Sequence, residues 1–239
     1  MTDGRQEDVK DRLERVRDRI ARAARSAGRD PAEITLIAAT KTVPMERLRE
    51  AIRHGCRRFG ENRVQEAIAK MDALTDVPEL EWHFIGPLQT NKIKLVLGRF
   101  ALIHAIDRLE IADRLNKALV DGKLVQPVLL EVNVSREATK HGFSPDMLMS
   151  AVGRMAQFPA LQIRGLMTIP AAAVSPEEGR PNFRYLKKLA LQVERENIPG
   201  VSMKELSMGM SADFECAIEE GATMVRVGTA VFGERKGAA

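Results

Sequence analysis

Eight short apolar runs, separated by amphipathic stretches, constrain this chain more than any other feature. The runs are ITLIAAT, FGE, WHFIG, ALIHAI, PVLLEVNV, LQIRGLMTI, MKELSMG and TMVRVG. Between them the spacing predicts helices beginning near Met45, Asn62, Gln89, Arg108, Pro145, Glu177 and Ser211. Strands that alternate with helices pair in parallel, and near-continuous apolar strands belong to a sheet covered on both faces. Eight such units close a (β/α)8 TIM-type barrel, and 239 residues suit one. An open doubly wound sheet is the alternative, weakened because no G-x-G-x-x-G follows the first run. Ahead of that run, Val9, Leu13, Val16 and Ile20 recur at spacings of three and four and predict an N-terminal helix over about residues 5–27. No long Gly/Ser/Pro linker divides the chain, so residues 1–239 read as one domain with segment 1–30 packed on the barrel. PAAAVSPEEGRPN, residues 170–182, reads as a long loop.

Charge and composition narrow the partners. Lys plus Arg total 37 and Asp plus Glu 33, a net +4. Both signs mix along EDVKDRLERVRDRIARAARSAGRD, which reads as a solvated helix face rather than a nucleic-acid stripe. Aromatic residues, at 4%, are too sparse to interleave with bases. Cys56 and Cys216 lack C-x-x-C spacing and read as buried thiols of a reducing compartment. There is no apolar leader and no run near the ~18 apolar residues of a membrane span. A soluble cytoplasmic protein is expected. No histidine pair has H-x-x-x-H spacing, and no metal is expected.

Barrel active sites form at the C-terminal ends of the strands. There the runs present Lys41, Glu61 and Asn62, His83, His104 and Asp107, Asn133, Thr168, Ser207 and Ser211, and Arg226 with Gly228 and Thr229. Lys41, in TLIAATKTVP, is the candidate nucleophile. Partial desolvation lowers the basicity of an amine and frees it to form Schiff bases; the bland alternative is a surface lysine. In SMGMSADFECAIEEGATMVRVGTAVFG, Gly209 allows a tight turn, Ser211 is the expected N-cap of a helix, and Asp213 suits its first turn. Gly228 and Thr229 offer backbone N–H groups and a hydroxyl where barrels commonly hold phosphate; otherwise Ser211 and Gly228 merely shape turns. An amine and a phosphate cradle bracket a phosphorylated aldehyde. Pyridoxal 5'-phosphate (PLP) and the sugar phosphate of a Schiff-base aldolase both fit.

The segments LIAATKTVP, FGENRVQEA, WHFIGPLQTNK, HAIDR, EVNVSREATKHGF, IRGLMTIP and LSMGMSADFECAIEEGATMVRVGTAVFG, in that order, resemble the pyridoxal phosphate homeostasis protein family. That family in turn resembles the N-terminal barrel of alanine racemase, the fold-type III PLP barrel. The resemblance covers about residues 10–234. It implies that Lys41 holds PLP as a Schiff base and that Asn62 lies near the ring and its 3-hydroxyl. It implies that Ser211, Gly228 and Thr229 form the phosphate cup and that Arg226 faces the pyridine nitrogen. Lys140 sits where alanine racemase carries an arginine close to the ring hydroxyl.

Arginine stays protonated, so Arg226 would disfavour protonating the ring and leave PLP a weak electron sink. Alanine racemase draws its second acid/base group from a tyrosine of a C-terminal β-domain. This chain runs only about six residues past its last motif, and that domain is expected to be absent. Its single tyrosine, Tyr185, shares helical spacing with Phe183 and Leu189 and reads as packing. The implied role is a PLP carrier or regulator in intracellular vitamin B6 and amino-acid homeostasis, without efficient catalysis. PLP-dependent apo-enzymes are its candidate partners, and a monomer is expected. The alternative is a weak PLP-dependent racemase or lyase. His54 is expected at a helix C-terminus and His141 in a loop. His83 and His104 read as core residues or as neighbours of the cofactor.

Overall fold

The computed structural model describes residues 8–137, 139–170 and 175–234. Each apolar run forms a strand: β1 Thr35–Ala39, β2 Arg58–Glu61, β3 Glu81–Phe84, β4 Leu102–Ile106, β5 Gln126–Glu131, β6 Leu161–Met167, β7 Val201–Ser207 and β8 Met224–Val227. They pair in sequence order, all parallel, and β8 returns to β1 to close the barrel. The expected (β/α)8 barrel is therefore the fold. The helices are α1 Val9–Ser26, α2 Met45–Arg53, α3 Val64–Asp72, α4 Ile93–Val96, α5 Leu109–Asp121, α6 Pro145–Met155, α7 Pro176–Arg195, α8 Phe214–Glu219 and α9 Thr229–Phe232.

Two apolar clusters result. The larger joins helix stripes to the outward faces of the strands. The smaller, Leu102, Ala105, Leu129, Met167 and Met224, comes from strands alone, as the filled interior of a barrel requires. Both cysteines are buried and unbonded, and burial pushes their thiols up to about 11.

Helix α1 buries Val9, Leu13, Val16 and Ile20, the stripe that predicted it, and packs against α2, α8 and α9. The Asp8 carboxylate caps it by accepting from the Lys10 N–H at 3.1 Å, one of the donors a helix start leaves unpaired. The expected start at residue 5 lies outside the described residues.

The loop expected over 170–182 is corrected. From Pro176 onward it is helix α7, which starts one residue before the Glu177 expected for that helix, while residues 171–174 lie outside the described residues. Pro176 occupies the first turn, where no intrahelical N–H is needed, and Glu177 and Glu178 there favour the helix dipole. Pro181 forfeits one hydrogen bond inside the helix. Burial of Phe183, Leu186, Leu189, Ala190 and Val193, with Arg180 bonded to Glu177, Glu219 and Glu220, outweighs that loss. Tyr185 lies on α7, partly buried against the core.

One glycine sets how closely two strands approach. At Gly165, where the β6–β7 register shifts, an added Cβ would stand 1.8 Å from the Glu205 carbonyl oxygen. Gly165→Ala is expected to cost about 3 kcal/mol, the upper end for overpacking. Urea denaturation would read this as a lowered midpoint; an unchanged midpoint would contradict it.

Candidate functional site

Lys41 lies two residues past β1, half-buried at the C-terminal end of the barrel. Its backbone is fixed on both flanks by one network, buried at Thr40, Glu61 and Lys70 and exposed at Thr42. On one side Thr40 donates its hydroxyl to Glu61 Oε1 at 2.5 Å, and its carbonyl accepts from Lys70 Nζ at 2.6 Å. Lys70 Nζ also donates to Glu61 Oε1 at 2.6 Å and Glu66 Oε1 at 2.7 Å. On the other side Glu66 Oε1 accepts from the Thr42 N–H at 2.6 Å. Thr42 has φ +61°, a region that disfavours β-branched residues, so the network holds a turn that threonine resists. Burial pushes the Glu61 carboxyl up, while hydrogen bonds from Lys70 and Thr40 pull it down. Its Oε2 is buried without a hydrogen bond.

The Glu66–Lys70 pair has i,i+4 spacing on α3, a visible helix signal. That Lys70 turns inward to Thr40 and Glu61 was not visible, and Lys70 is the supporting residue that sequence reasoning missed.

Lys41 and Asn62 line one cavity of about 510 Å³, together with Phe84, Pro87, Gln89 and Lys92. Asn62 is seated by Gly86, where a Cβ would come within 2.5 Å of the Asn62 carbonyl oxygen. A larger recess, about 830 Å³, opens at the other face beside α1 and the starts of β1–β3. Arg17 and Arg57 in that recess donate to carbonyls at the end of α2, and barrels carry their chemistry at the opposite face.

The second half of the site lies beside β1. Ala38 pairs with Val227 across β1–β8, so Gly228 follows on the neighbouring strand, its Cβ position 3.2 Å from the Ala39 carbonyl oxygen. Ser211 Oγ accepts from the Gly228 and Ala230 N–H groups, each at 3.2 Å. This corrects the expected N-cap. Helix α8 starts at Phe214 with Asp213 in the N-cap position, and the Asp213 carboxylate accepts from the Met210 N–H at 2.6 Å. That bond closes a turn over 210–213 and delays the helix, so Ser211 reaches across to the β8–α9 turn instead. Among the described residues, the N–H groups of Ser211 and Thr229 meet no protein acceptor.

Arg226 is buried on β8, inside the barrel. Its Nη1 donates to Ser207 Oγ at 2.6 Å and its Nη2 to the Thr168 carbonyl at 2.9 Å. Burial pushes its guanidinium down to about 10, against the opposing pull of Glu131 and Asp213; it remains a cation at neutral pH.

The other rim candidates divide. His104, expected at the end of its strand, is the third residue of β4 and buried, because β4 runs on through Ile106. With His83 it joins Arg226 through Ser207. Asp107 is bound by Arg108, with His141 Nδ1 at 3.5 Å. Thr168 Oγ1 donates to the Val132 carbonyl, and Asn133 Nδ2 to the Glu137 carbonyl. These three are tied into loops. Lys140 lies in the loop after β5 and is not among the residues lining the Lys41 cavity. His54 stands at the C-terminal cap of α2, as expected.

The family described as alanine racemase, N-terminal domain, matches residues 12–236. A pyridoxal phosphate homeostasis protein of Aquifex aeolicus is 49% identical over 226 residues, covering 95% of this chain and 98% of its own. PipY of Synechococcus elongatus, solved with PLP bound, is 36% identical with a TM-score of 0.82, over 94% of this chain and all of that one. An alanine racemase of Clostridium difficile shares the fold at 14% identity and a TM-score of 0.72, over 98% of this chain and 57% of its own. The identity and the near-complete overlap with its relatives establish that this chain belongs to the pyridoxal phosphate homeostasis protein family, within the alanine racemase N-terminal domain group.

Proposed function

We propose that this chain binds PLP reversibly as a Schiff base on Lys41 and serves PLP homeostasis without efficient turnover of its own. The reading is supported by one arrangement above all. Lys41 and the Ser211–Gly228–Thr229 turn lie past the C-terminal ends of the adjacent strands β1 and β8, with Arg226 buried on β8. The residues suit the group. PLP supplies an electrophilic aldehyde, an anionic phosphate and a basic ring nitrogen. Lys41 meets the first, and the N–H groups of Ser211 and Thr229, without an acceptor among the described residues, meet the second with the Thr229 hydroxyl. The Arg226 cation meets the third and opposes ring protonation. A PLP relative of 36% identity adds weight.

Poor turnover follows from the same residues. With Arg226 in place the ring draws electrons weakly, and the chain's only tyrosine lies on α7 against the core, not beside Lys41.

The test is titration with PLP, borohydride fixation and mapping of the modified peptide, followed by incubation with amino acids in deuterated water. The expected result is one fixed pyridoxyl group at Lys41 and α-deuterium exchange no faster than with free PLP. Exchange well above that rate would make the protein a racemase or lyase. A protein that PLP leaves colourless would remove the reading altogether.

Ser211→Ala removes the acceptor that orders the β8–α9 turn. Weakening of PLP binding by about tenfold is expected, from a cap worth roughly 1 kcal/mol; unchanged affinity would place the phosphate elsewhere.

A further inference from the structure

A file of polar side chains crosses the barrel interior. His83 Nδ1 lies 2.9 Å from His104 Nε2, and His104 Nδ1 lies 2.8 Å from Ser207 Oγ. Ser207 Oγ in turn accepts from Arg226 at 2.6 Å. The file therefore draws on β3, β4, β7 and β8. Its far end is incomplete: His83 Nε2 is buried without a hydrogen bond. It faces Glu81 Oε2 at 3.9 Å, and that carboxylate is held by Arg58 Nε at 2.9 Å on the N-terminal side of the barrel.

Both rings are neutral. Burial pushes His83 down to about 4 and His104 well below its ordinary value. Each ring therefore carries one N–H, and only two orderings of the protons keep every contact. Arginine can only donate, so Ser207 Oγ accepts from it in both. In the first, the Ser207 hydroxyl donates to His104 Nδ1, His104 Nε2–H donates to His83 Nδ1, and His83 Nε2–H points at the Glu81 carboxylate. In the second, both rings carry Nδ1–H. The Ser207 hydroxyl proton then has no acceptor among the described residues, where its partners are His104 and Arg226, and the His83 Nε2 lone pair points at an anion. An unmet buried donor and a lone pair facing a carboxylate are both unfavourable; the first ordering has only one imperfect group, the His83 Nε2–H, which is too far for a hydrogen bond but faces an attracting carboxylate at 3.9 Å.

We propose that Glu81, His83, His104 and Ser207 form a one-way hydrogen-bond file, running from Arg226 to the opposite face of the barrel, that positions the Arg226 guanidinium. They act through Arg226 and are positioning residues. Ser207 and the Thr168 carbonyl each take one N–H of its fork, and among the described residues the guanidinium makes no other hydrogen bond. The fork is thus anchored at one edge. The consequence for PLP rests on the proposed function, but the proton ordering does not.

Two-bond ¹H–¹⁵N correlation spectra of the unliganded, ¹⁵N-histidine-labelled protein at neutral pH read the ordering directly. The expected result is Nε2–H on both His83 and His104. Nδ1–H or an imidazolium on either ring would overturn the proposal. Glu81→Ala should mix the tautomers of His83, and a spectrum unchanged from wild type would remove Glu81 from the file. For the positioning role, Ser207→Ala and His104→Leu should weaken PLP binding by about tenfold. His104→Gln, which can accept at one end and donate at the other, should retain most of the affinity. Thermal melts would separate unfolding from loss of position, and Ser207→Ala serves if His104→Leu does not fold. Wild-type affinity in the folded Ser207→Ala variant would overturn the role. Failure of the wild-type protein to bind PLP would sink the proposed function and leave the tautomer assignment standing.

Discussion

Lys41→Ala should lose its borohydride-fixed pyridoxyl label completely while folding as wild type. The lysine is half-buried and its side chain makes no hydrogen bond or ion pair among the described residues, so its removal deletes the nucleophile and little else. The Ser211 turn and Arg226 remain, so PLP should still bind, weaker by about a hundredfold or roughly 2.8 kcal/mol. Loss of visible absorbance after dialysis, with binding retained in equilibrium titration, is the expected pattern. Peptide mapping matters here because Lys92 lines the same cavity. A label that persists in the variant, or maps to Lys92 in the wild type, would show that the cavity is right and the nucleophile wrong.

Lys70→Met should give the largest loss of stability, about 3–5 kcal/mol, because it strands a buried carboxylate whose partner is gone. Lys70 and Glu61 are both buried, 2.6 Å apart. The sign of the pH dependence follows from Glu61. Its carboxyl is raised in the folded protein, so the folded state favours the protonated form. Stability from this group is retained at low pH and lost as pH rises through the raised value. Removing Lys70 raises the carboxyl further and widens that window. The deficit of the variant should therefore be greatest in mildly alkaline buffer and shrink as the pH is lowered toward the titration of Glu61. Adding Glu61→Gln should recover part of the loss at high pH. Urea denaturation at several pH values measures both effects. A pH-independent deficit under about 1 kcal/mol would mean that water reaches the carboxylate. The variant should also loosen the clamp on Thr40 and Thr42, and so the aim of Lys41.

The barrel was legible because each strand carries its own evidence. A run such as LIHAI, buried at all five positions, needs cover on both faces, and eight such runs leave a closed parallel sheet as the compact answer. The α1 stripe was legible for the same local reason. Helix α7 was legible only in part: its start near Glu177 was expected, but its first two turns also read as loop, since Pro176, Gly179 and Pro181 are turn residues whose effect is overridden by a core built from distant segments. Ser211 was singled out from the sequence but given the wrong partner. The sequence shows a capping residue before a helix and cannot show that Asp213 closes the turn first, freeing the hydroxyl for β8.

What the sequence by itself determined is the order and period of the elements, and the kinds of polar group that arrive at each strand end. Lys41, Asn62, Arg226 and the Gly228–Thr229 turn were all named before their positions were known. The tertiary structure alone decided who meets whom. Lys70 turns inward beneath Lys41, and His104 bonds Ser207 across 103 residues of chain. Periodicity reports which face of an element is buried, because burial acts on one residue at a time. Partnership between buried polar groups depends on strand stagger and barrel closure, which arise only when all eight strands pair at once.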